Sequence, residues 1–185
     1  LIDNYGIFSD KFDICSIQFA IHYMFENKVK LHNFLTNIAE CTKIGGYFIG
    51  TSFSGKKIFN LINNLKINET YTFFDREKKN KLLEITKQYE NTEFTDDIGS
   101  LGYAIDIFQA SINKTIREYL VNYDYLTSVL ENYGFVPLNK DELKKIKLTD
   151  SIDSFEQLHK QMQTNINTQL VDSRQTRTTP PMHSH

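Results

Sequence analysis

The sequence predicts an α/β fold in which helices cover a parallel sheet, and three observations support this fold class. A continuous apolar run over residues 12–19 is typical of a strand buried on both faces. A stripe of apolar residues at helical spacing follows over residues 29–41. A second strand over residues 47–53 and a second helix come next. This strand–helix–strand–helix order favours parallel strands joined by right-handed crossovers.

Size and composition are those of an ordinary globular protein. The chain has 185 residues, of which 40% are hydrophobic and 24% charged, enough for one domain with a real core. The net charge of −2 excludes general attraction to nucleic acid, so such contact requires a local basic patch. Cys15 and Cys41 are predicted to be buried free thiols in a reducing compartment. The sequence shows no membrane-spanning segment and no signal peptide. Because the chain begins with Leu1 and not with Met, we expect it to be a piece of a longer protein.

The first half of the chain carries clear signals for where elements begin and end. Gly45 and Gly46 are expected to stop the first helix. The strand Tyr47–Phe53 follows, and Ser54 fits the N-cap of a helix that runs to Leu65. These signals predict one strand–helix–strand unit followed directly by a second helix.

The second half is more polar, and its elements are predicted from periodicity. Lys78–Tyr89 is a basic and apolar helix candidate, and the alternation from Leu101 to Ile107 predicts a strand. Residues 117–134 are expected to form an amphipathic helix ended by Gly134, with a possible short strand over Phe135–Leu138. From Asn165 onward the chain is polar and aperiodic, which predicts a disordered or loosely attached segment.

Four motifs together resemble one enzyme family. They are "FDICSIQFAIHYMFE" from Phe12, "GGYFIGT" from Gly45, "LG..I.I" from Leu101 and "EYLVNYDYL...ENYGF" from Glu118. In this order and spacing they resemble the cellular and viral mRNA cap (guanine-N7) methyltransferases, over roughly residues 10–160. The Asn- and Lys-rich composition is more similar to a large DNA virus enzyme than to an animal one.

The resemblance implies a class I S-adenosylmethionine-dependent methyltransferase fold, Rossmann-like, of which this chain holds the back half of the sheet only. Phe12–Gln18 corresponds to the fourth strand and Tyr47–Phe53 to the fifth. The glycine-rich cofactor loop and the ribose-binding acid are expected upstream of Leu1, so the isolated chain is expected to be inactive. Residues 1–164 would be the carboxyl-terminal portion of the methyltransferase domain, and residues 165–185 a disordered or divergent tail.

The resemblance also assigns roles to the residues that follow the first strand. Ligands bind at the carboxyl ends of strands in open α/β sheets. Gln18 is assigned to the cofactor, while Phe19, His22 and Tyr23 are assigned to the cap guanine, with His22 and Tyr23 positioning the acceptor. No residue has to act as acid or base, because N7 carries an exposed lone pair and the catalysis is by orientation. Without the motif, the aromatic residues would be core and the histidine a surface residue.

Glu118 is the candidate that would recognise guanine. A carboxylate can accept hydrogen bonds from both N1–H and the exocyclic amine of guanine, a pairing that adenine cannot satisfy. The resemblance places the guanine-recognising acid in the "EYLV" segment. The structural alternative is a solvated acid near the start of a helix, where the helix dipole favours it.

Basic residues and the remaining histidines carry weaker signals. Lys56 and Lys57 could meet cap phosphates, although exposed lysines are the simpler interpretation. A basic run could contact RNA or form a solvated helix face; it consists of Lys78, Lys79 and Lys81. No metal site is predicted, because no acid or cysteine stands at ligand spacing from His159, His183 and His185. His32 is expected at the surface of the first predicted helix.

The function that the resemblance implies is methylation of N7 of the terminal guanine of the mRNA 5′ cap, with S-adenosylmethionine as cofactor. The implied partners are the capped mRNA 5′ end and fused or associated RNA triphosphatase and guanylyltransferase domains, without a membrane. The implied site of action is the nucleus for a cellular protein, or the host cytoplasm or virion for a viral one. Two alternatives stay open: an inactive methyltransferase-like subunit, and a class I methyltransferase of a small molecule. A D-x-G-x-G motif after a strand upstream of Leu1 would separate enzyme from subunit.

Overall fold

The computed structural model describes residues 10–77 and 79–164 and divides into two compact units. The first unit is Leu1–Val136 and the second is Pro137–His185. The segment from residue 165 onward, predicted to be a disordered or divergent tail, lies outside the described residues. All residues of the candidate site belong to the first unit.

The first unit begins with a strand–helix–strand unit. Strand β1 spans Phe12–Gln18, a 3₁₀ helix spans Ile21–Glu26, helix α1 spans Lys28–Cys41 and strand β2 spans Thr42–Thr51. β1 and β2 pair in parallel, as the sequence predicts. The side chain of Asn27 caps α1 by accepting from the backbone N–H of Lys30. The 3₁₀ helix therefore follows the carboxyl end of β1 directly, where a parallel sheet places ligands.

The expected helix stop at Gly45 and Gly46 is wrong. Helix α1 ends at Cys41, and β2 begins at Thr42 without a loop, so both glycines lie inside the strand. The pairing register against β1 shifts between Phe12 and Ile14. Gly45 has φ of +79°, a left-handed conformation that an irregularity in a strand often requires.

Burial of the first strand on both faces is also wrong for the described residues. Phe12 and Ile14 are 50% and 57% exposed, whereas Ile17 packs into the core with α1. The described part of this sheet has two strands, and the helix covers one of its faces. The thiols differ from expectation as well, because Cys41 is exposed and Cys15 is half-buried, both free.

A four-stranded antiparallel sheet forms the other half of the first unit. Its order is β3-β4-β5-β6, and the strands are Thr70–Phe74, Lys81–Lys87, Ala104–Gln109 and Lys114–Tyr119. Helix α2, Gly55–Leu61, precedes them and ends earlier than predicted, although Ser54 caps it as predicted. Helix α2 lies on one face of this sheet, where both contribute to an apolar core; its members include Ile58, Phe59, Ile85, Ile105 and Ile107.

Two helices predicted from the sequence are partly or wholly strands. The predicted helix Lys78–Tyr89 is wrong, because β4 occupies Lys81–Lys87 and pairs with neighbours on both sides. The predicted helix over residues 117–134 begins only at Tyr123, since β6 extends to Tyr119. Glu118 therefore lies on a strand and not at a helix start.

The carboxyl-terminal end of the first unit is helical. Helix α3 spans Tyr123–Glu131, and the turn that follows it reaches Gly134, with φ of +85°. Residues 135–138 form no strand, which corrects the expected one. In the second unit, helix α4 spans Lys140–Lys145 behind a capping box, and residues 155–164 are helical.

Candidate functional site

The carboxyl edge of the parallel strands presents polar and aromatic groups. The Oε1 atom of Gln18 accepts a hydrogen bond of 2.7 Å from the Thr51 hydroxyl, which ties the ends of β1 and β2 together. The backbone N–H of Phe19 donates to the Thr51 carbonyl at 2.9 Å. Phe19 has φ of +49°, a strained conformation for a bulky residue, of the kind that concentrates at functional sites. Gln18 remains exposed, and its Nε2 donates to the Ser16 hydroxyl at 2.9 Å.

The 3₁₀ helix buries one of its polar residues. His22 is 6% exposed, although its neighbour Tyr23 is 38% exposed. The two rings meet edge to face, with centroids 4.2 Å apart and planes at 61°. Ile21 and Phe25 of the same 3₁₀ helix are buried in the core with α1 and anchor the helix there. The apolar residues of this short helix thus hold the imidazole in place.

Glu118 comes from β6 and meets His22 inside the protein. Its side chain is buried, the residue being 6% exposed, and Oε1 lies 3.7 Å from Nε2 of His22. Burial raises the pKa of the Glu118 carboxyl to about 7. Burial also lowers the pKa of His22 from its ordinary value. Both shifts favour the neutral forms, so desolvation outweighs the mutual attraction that an ion pair would give.

The pair is close but incompletely hydrogen-bonded. The separation of 3.7 Å exceeds a hydrogen bond, and the buried Nε2 of His22 has no hydrogen-bond partner among the described residues. A buried polar atom without a partner is costly, and such atoms are rare in native proteins. The adjoining crevice has room for about one water molecule, roughly 10 Å³. Its lining includes Phe53, Gly55 and Ile105.

The walls of the crevice are fixed by residues that sequence reasoning missed. Asn122 is fully buried and donates to the Thr95 carbonyl and to Asp96, both at 2.9 Å. Its own Oδ1 accepts from the first backbone N–H groups of α3, which makes it the N-cap of that helix. Phe53 packs its ring 6.0 Å from that of Phe19. An asparagine ahead of an amphipathic pattern is a cap signal that could have identified Asn122, whereas nothing local marks Phe53.

The structure thus brings His22 and Glu118 together, and places Tyr23 beside His22. Gln18 and Phe19 contact Thr51 at the adjacent strand ends. These are the five residues that the sequence singled out for cofactor and guanine. The five residues come from two segments that lie far apart in the sequence.

Three of the basic residues have acidic partners. Lys56 pairs with Asp96 and Asp124 at 2.7 Å and 2.6 Å, and these contacts raise its pKa. Lys79 pairs with Glu77 at 2.7 Å and Lys81 with Glu84 at 2.9 Å. These last two lie in or near a strand, so the expected solvated helix face is wrong. Lys78 lies outside the described residues.

The histidines outside the crevice do not form a cluster. His32 is exposed and contacts the hydroxyl of Tyr133, while His159 is exposed in the second unit. His183 and His185 lie outside the described residues. Within residues 10–77 and 79–164, no group of three potential ligands could hold a metal ion. In the same part of the chain, no helix has the length and apolarity to cross a membrane.

The sequence matches the family model of the mRNA (guanine-N(7))-methyltransferase domain over residues 3–179. Among curated proteins, it is 38% identical over 147 residues to the "Probable mRNA-capping enzyme" of Acanthamoeba polyphaga mimivirus, covering 77% of this chain and 12% of that protein. It is 31% identical over 140 residues to the "mRNA cap guanine-N(7) methyltransferase" of Saccharomyces cerevisiae, covering 72% of this chain and 31% of that protein.

A third relative is again viral. The "mRNA-capping enzyme catalytic subunit" of Fowlpox virus is 31% identical over 140 residues, covering 76% of this chain and 15% of that protein. The chain therefore spans less than a third of the length of each of these three relatives. The region matched by the family model, residues 3–179, contains the 3₁₀ helix and β6, the two elements that supply the buried pair.

Proposed function

The chain belongs to the mRNA (guanine-N(7))-methyltransferase family, and from this premise we propose that it supplies the guanine-binding side of an active site that methylates N7 of the mRNA 5′ cap. The cofactor is S-adenosylmethionine, which supplies an electrophilic methyl group when bound. The observation that carries the proposal is the buried pair of Glu118 and His22, in which Nε2 of the imidazole has no hydrogen-bond partner among the described residues.

The chemistry of this pair is complementary to one edge of guanine. The Glu118 carboxylate accepts from N1–H and from the exocyclic amine, while Nε2–H of a neutral His22 donates to O6. The separation of 3.7 Å between the two side chains suits groups that bind adjacent atoms of one base. Adenine presents an acceptor at N1 and a donor at C6, so each contact would become a mismatch. The crevice is far smaller than a purine, so entry of the base requires its walls to move apart.

The aromatic residues give the base a fixed orientation. Tyr23 stands at the exposed side of His22, and Phe19 lies near Phe53. Gln18 offers an exposed amide at the carboxyl edge of β1 and β2, a position that fits a polar group of the cofactor. We assign Gln18 to the cofactor and the aromatic residues to the walls around the guanine.

Methyl transfer to N7 requires orientation and charge compensation but no general base. The N7 lone pair is free, so the protein has to hold the base in line with the methyl group and to exclude water. The methylated base carries a positive charge, which the Glu118 carboxylate compensates from the opposite edge of the ring. Burial of both partner groups strengthens this effect, because the local dielectric constant is low.

The partner of this site is the capped 5′ end of an mRNA. Two of the viral relatives are named capping enzymes and are far longer than this chain. We therefore place this domain in a capping machinery whose other domains, an RNA triphosphatase and a guanylyltransferase, are fused to it or associated with it. Its compartment is then the nucleus in a cell, or the host cytoplasm or virion for a virus.

A methyl-transfer assay on the full-length protein tests the proposal. The substrates are GpppRNA and ApppRNA with radiolabelled S-adenosylmethionine, and the methylated position is identified after nuclease digestion. We expect label on N7 of GpppRNA and none on ApppRNA. Guanine-specific binding without transfer would indicate an inactive subunit, and failure to distinguish the two caps would contradict the proposal.

A further inference from the structure

A second, larger crevice lies beside the His22–Glu118 crevice and has no part in guanine binding. Its volume is about 160 Å³, against about 10 Å³ for the His22–Glu118 crevice, and its lining is almost wholly apolar. The lining residues that matter here are Phe53, Lys57, Leu61, Phe73 and Leu83. We refer to it as the apolar groove. An exposed apolar groove of this kind commonly marks a binding site.

The apolar groove and the guanine crevice are adjacent and share part of their walls. Phe53 and Ile58 line both. The sheet register also places them on one face, because Glu118 pairs with Ile105, and Ile107 of the groove lies two residues further along β5. One strand across and two residues along correspond to about 8 Å between backbone positions. A ligand that leaves the guanine crevice past Phe53 therefore meets the groove.

The two phenylalanines of the groove provide flat apolar surfaces that are open to solvent. Phe53 is 41% exposed and Phe73 is 36% exposed. Aromatic rings of this kind stack on nucleobases without regard to base identity, because every base has a π-face. The groove thus suits a nucleobase better than a charged or strongly polar ligand.

Lys57 contributes a positive charge to the lining of the groove. Lys57 lines it, is exposed and makes no ion pair within the described part of the chain. Its neighbour Lys56 is held by two aspartates instead. An unengaged ammonium group next to an apolar groove is complementary to a phosphate that is linked to a base.

We propose that the apolar groove binds the first transcribed nucleoside of the capped RNA, with its base against Phe53 and Phe73 and the triphosphate bridge at Lys57. The inference rests on the proposed function, since it takes the guanine to lie in the His22–Glu118 crevice. A 5′–5′ triphosphate with a ribose at each end is long enough to join the two positions. The site thereby recognises a dinucleotide cap and not only its terminal guanine.

Calorimetric titration of the 185-residue chain with GpppA and GTP tests the inference. Only GpppA carries the second nucleoside, and we expect it to bind about tenfold more tightly, the effect of one stacked base. Phe73→Ser should remove that advantage and leave GTP binding unchanged. The matched control is Phe74→Ser, the next and more exposed phenylalanine of β3, which does not line the groove and should change neither affinity. Lys57→Gln should weaken both ligands alike, because both carry the phosphates.

The outcomes separate the inference from the proposed function. Equal binding of GpppA and GTP by the unaltered chain would overturn the inference while the guanine site stands. If Phe73→Ser still binds GpppA more tightly than GTP, the inference is also overturned, and a protein partner becomes the expected occupant of the groove. If GTP binds no better than ATP, the guanine site itself is wrong, and the inference falls with it. Thermal unfolding of both phenylalanine variants controls for loss of structure.

Discussion

At the scale of single residues, the protonation of Glu118 decides how the site binds. Its carboxyl has a pKa of about 7 because it is buried, and the pKa of His22 is lowered for the same reason. At neutral pH a large fraction of the free site therefore holds a neutral acid next to a neutral imidazole. A protonated carboxyl cannot accept from both donors of guanine, so in the proposed site the base would select the ionised form and binding would release a proton.

The pH dependence of cap affinity follows from this linkage. Below about pH 7 the affinity of the chain for GpppA should fall by up to tenfold per pH unit, and above it the affinity should level off. The Glu118→Gln variant should bind weakly at every pH between 5.5 and 8, with no such slope. Fluorescence titration with the cap analogue measures both curves, and a flat curve for the unaltered chain would contradict an ionised Glu118 in the complex.

Sequence motifs suggest candidate members of the site but do not predict the contacts between them. Gln18, Phe19, His22 and Tyr23 form one continuous segment, and its position after a strand points to a ligand site. The approach of Glu118 to His22 arises from packing between β6 and the 3₁₀ helix, which no local pattern encodes. The pKa of Glu118 was equally out of reach, since it depends on how completely the folded chain excludes water from that carboxyl.

At the scale of elements, a polar network holds the crevice together from the β6–α3 junction. Asn122 joins the start of α3 to the loop between β4 and β5, through Thr95 and Asp96. Lys56 of α2 reaches the same Asp96 and also Asp124 of α3. Three segments that line or support the crevice are therefore tied by one buried amide and one surface lysine.

Removal of the buried amide should cost more stability than removal of an exposed cap. Asn122→Ala loses the α3 cap and leaves the Thr95 carbonyl and Asp96 without this donor, which should lower the free energy of unfolding by about 3 kcal/mol. Asn27→Ala, at the exposed cap of α1, removes one hydrogen bond and should cost about 1 kcal/mol. Urea denaturation measures both, and equal losses would show that the network is not cooperative.

Gly55 sets how closely α2 approaches the end of β6. A Cβ atom at this position would lie 2.4 Å from the Val121 carbonyl oxygen, to which the Gly55 N–H donates. Gly55→Ala should therefore displace α2, lower the free energy of unfolding by about 3 kcal/mol and weaken cap binding.

The control for Gly55 is Gly134→Ala, where no atom lies within 4 Å of the added Cβ and only the positive φ is unfavourable. Its cost should be about 1 kcal/mol, without a change in cap affinity. Melting curves and cap titration of both variants supply the comparison. A tolerated Gly55→Ala with normal cap affinity would mean that α2 can shift without disturbing the crevice.

Sequence reasoning failed for the elements whose pattern is ambiguous. The segment from Lys78 to Tyr89 has enough leucine and lysine for a helix, but Leu83, Ile85 and Lys87 alternate toward one side. Hydrogen bonding to β3 and β5 makes this segment a strand and not a helix. Tertiary context commonly overrides helix propensity in this way. The β1–α1–β2 unit was predictable because its apolar run and its helical stripe are both long.

At the scale of the whole molecule, the buried carboxyl makes folding stability depend on pH. The pKa of Glu118 is about 7 in the folded chain, against 4.5 as its ordinary value. Below about pH 4.5 the group is protonated in both states and its burial carries no charge penalty. Between these two values the unfolded chain loses the proton and the folded chain keeps it, so the free energy of unfolding falls as pH rises through about 7.

Comparison with Glu118→Gln isolates this effect from other titrating groups. Relative to the variant, the unaltered chain should lose about 3 kcal/mol of stability between pH 4.5 and pH 8, as the rise in the pKa of Glu118 from 4.5 to about 7 implies. Urea denaturation across this range measures the difference. A constant difference between the two proteins would mean that the carboxyl is solvated in the folded state.

The most direct test of guanine recognition by Glu118 is a double comparison of binding. The chain and Glu118→Gln are each titrated with GpppA and with its inosine analogue, which lacks the 2-amino group. Glu118→Gln replaces an acceptor by a donor, so the affinity for GpppA should fall about a hundredfold, and that for the inosine analogue much less. Equal losses on the two ligands would show that Glu118 does not contact the 2-amino group and would contradict the proposed guanine site.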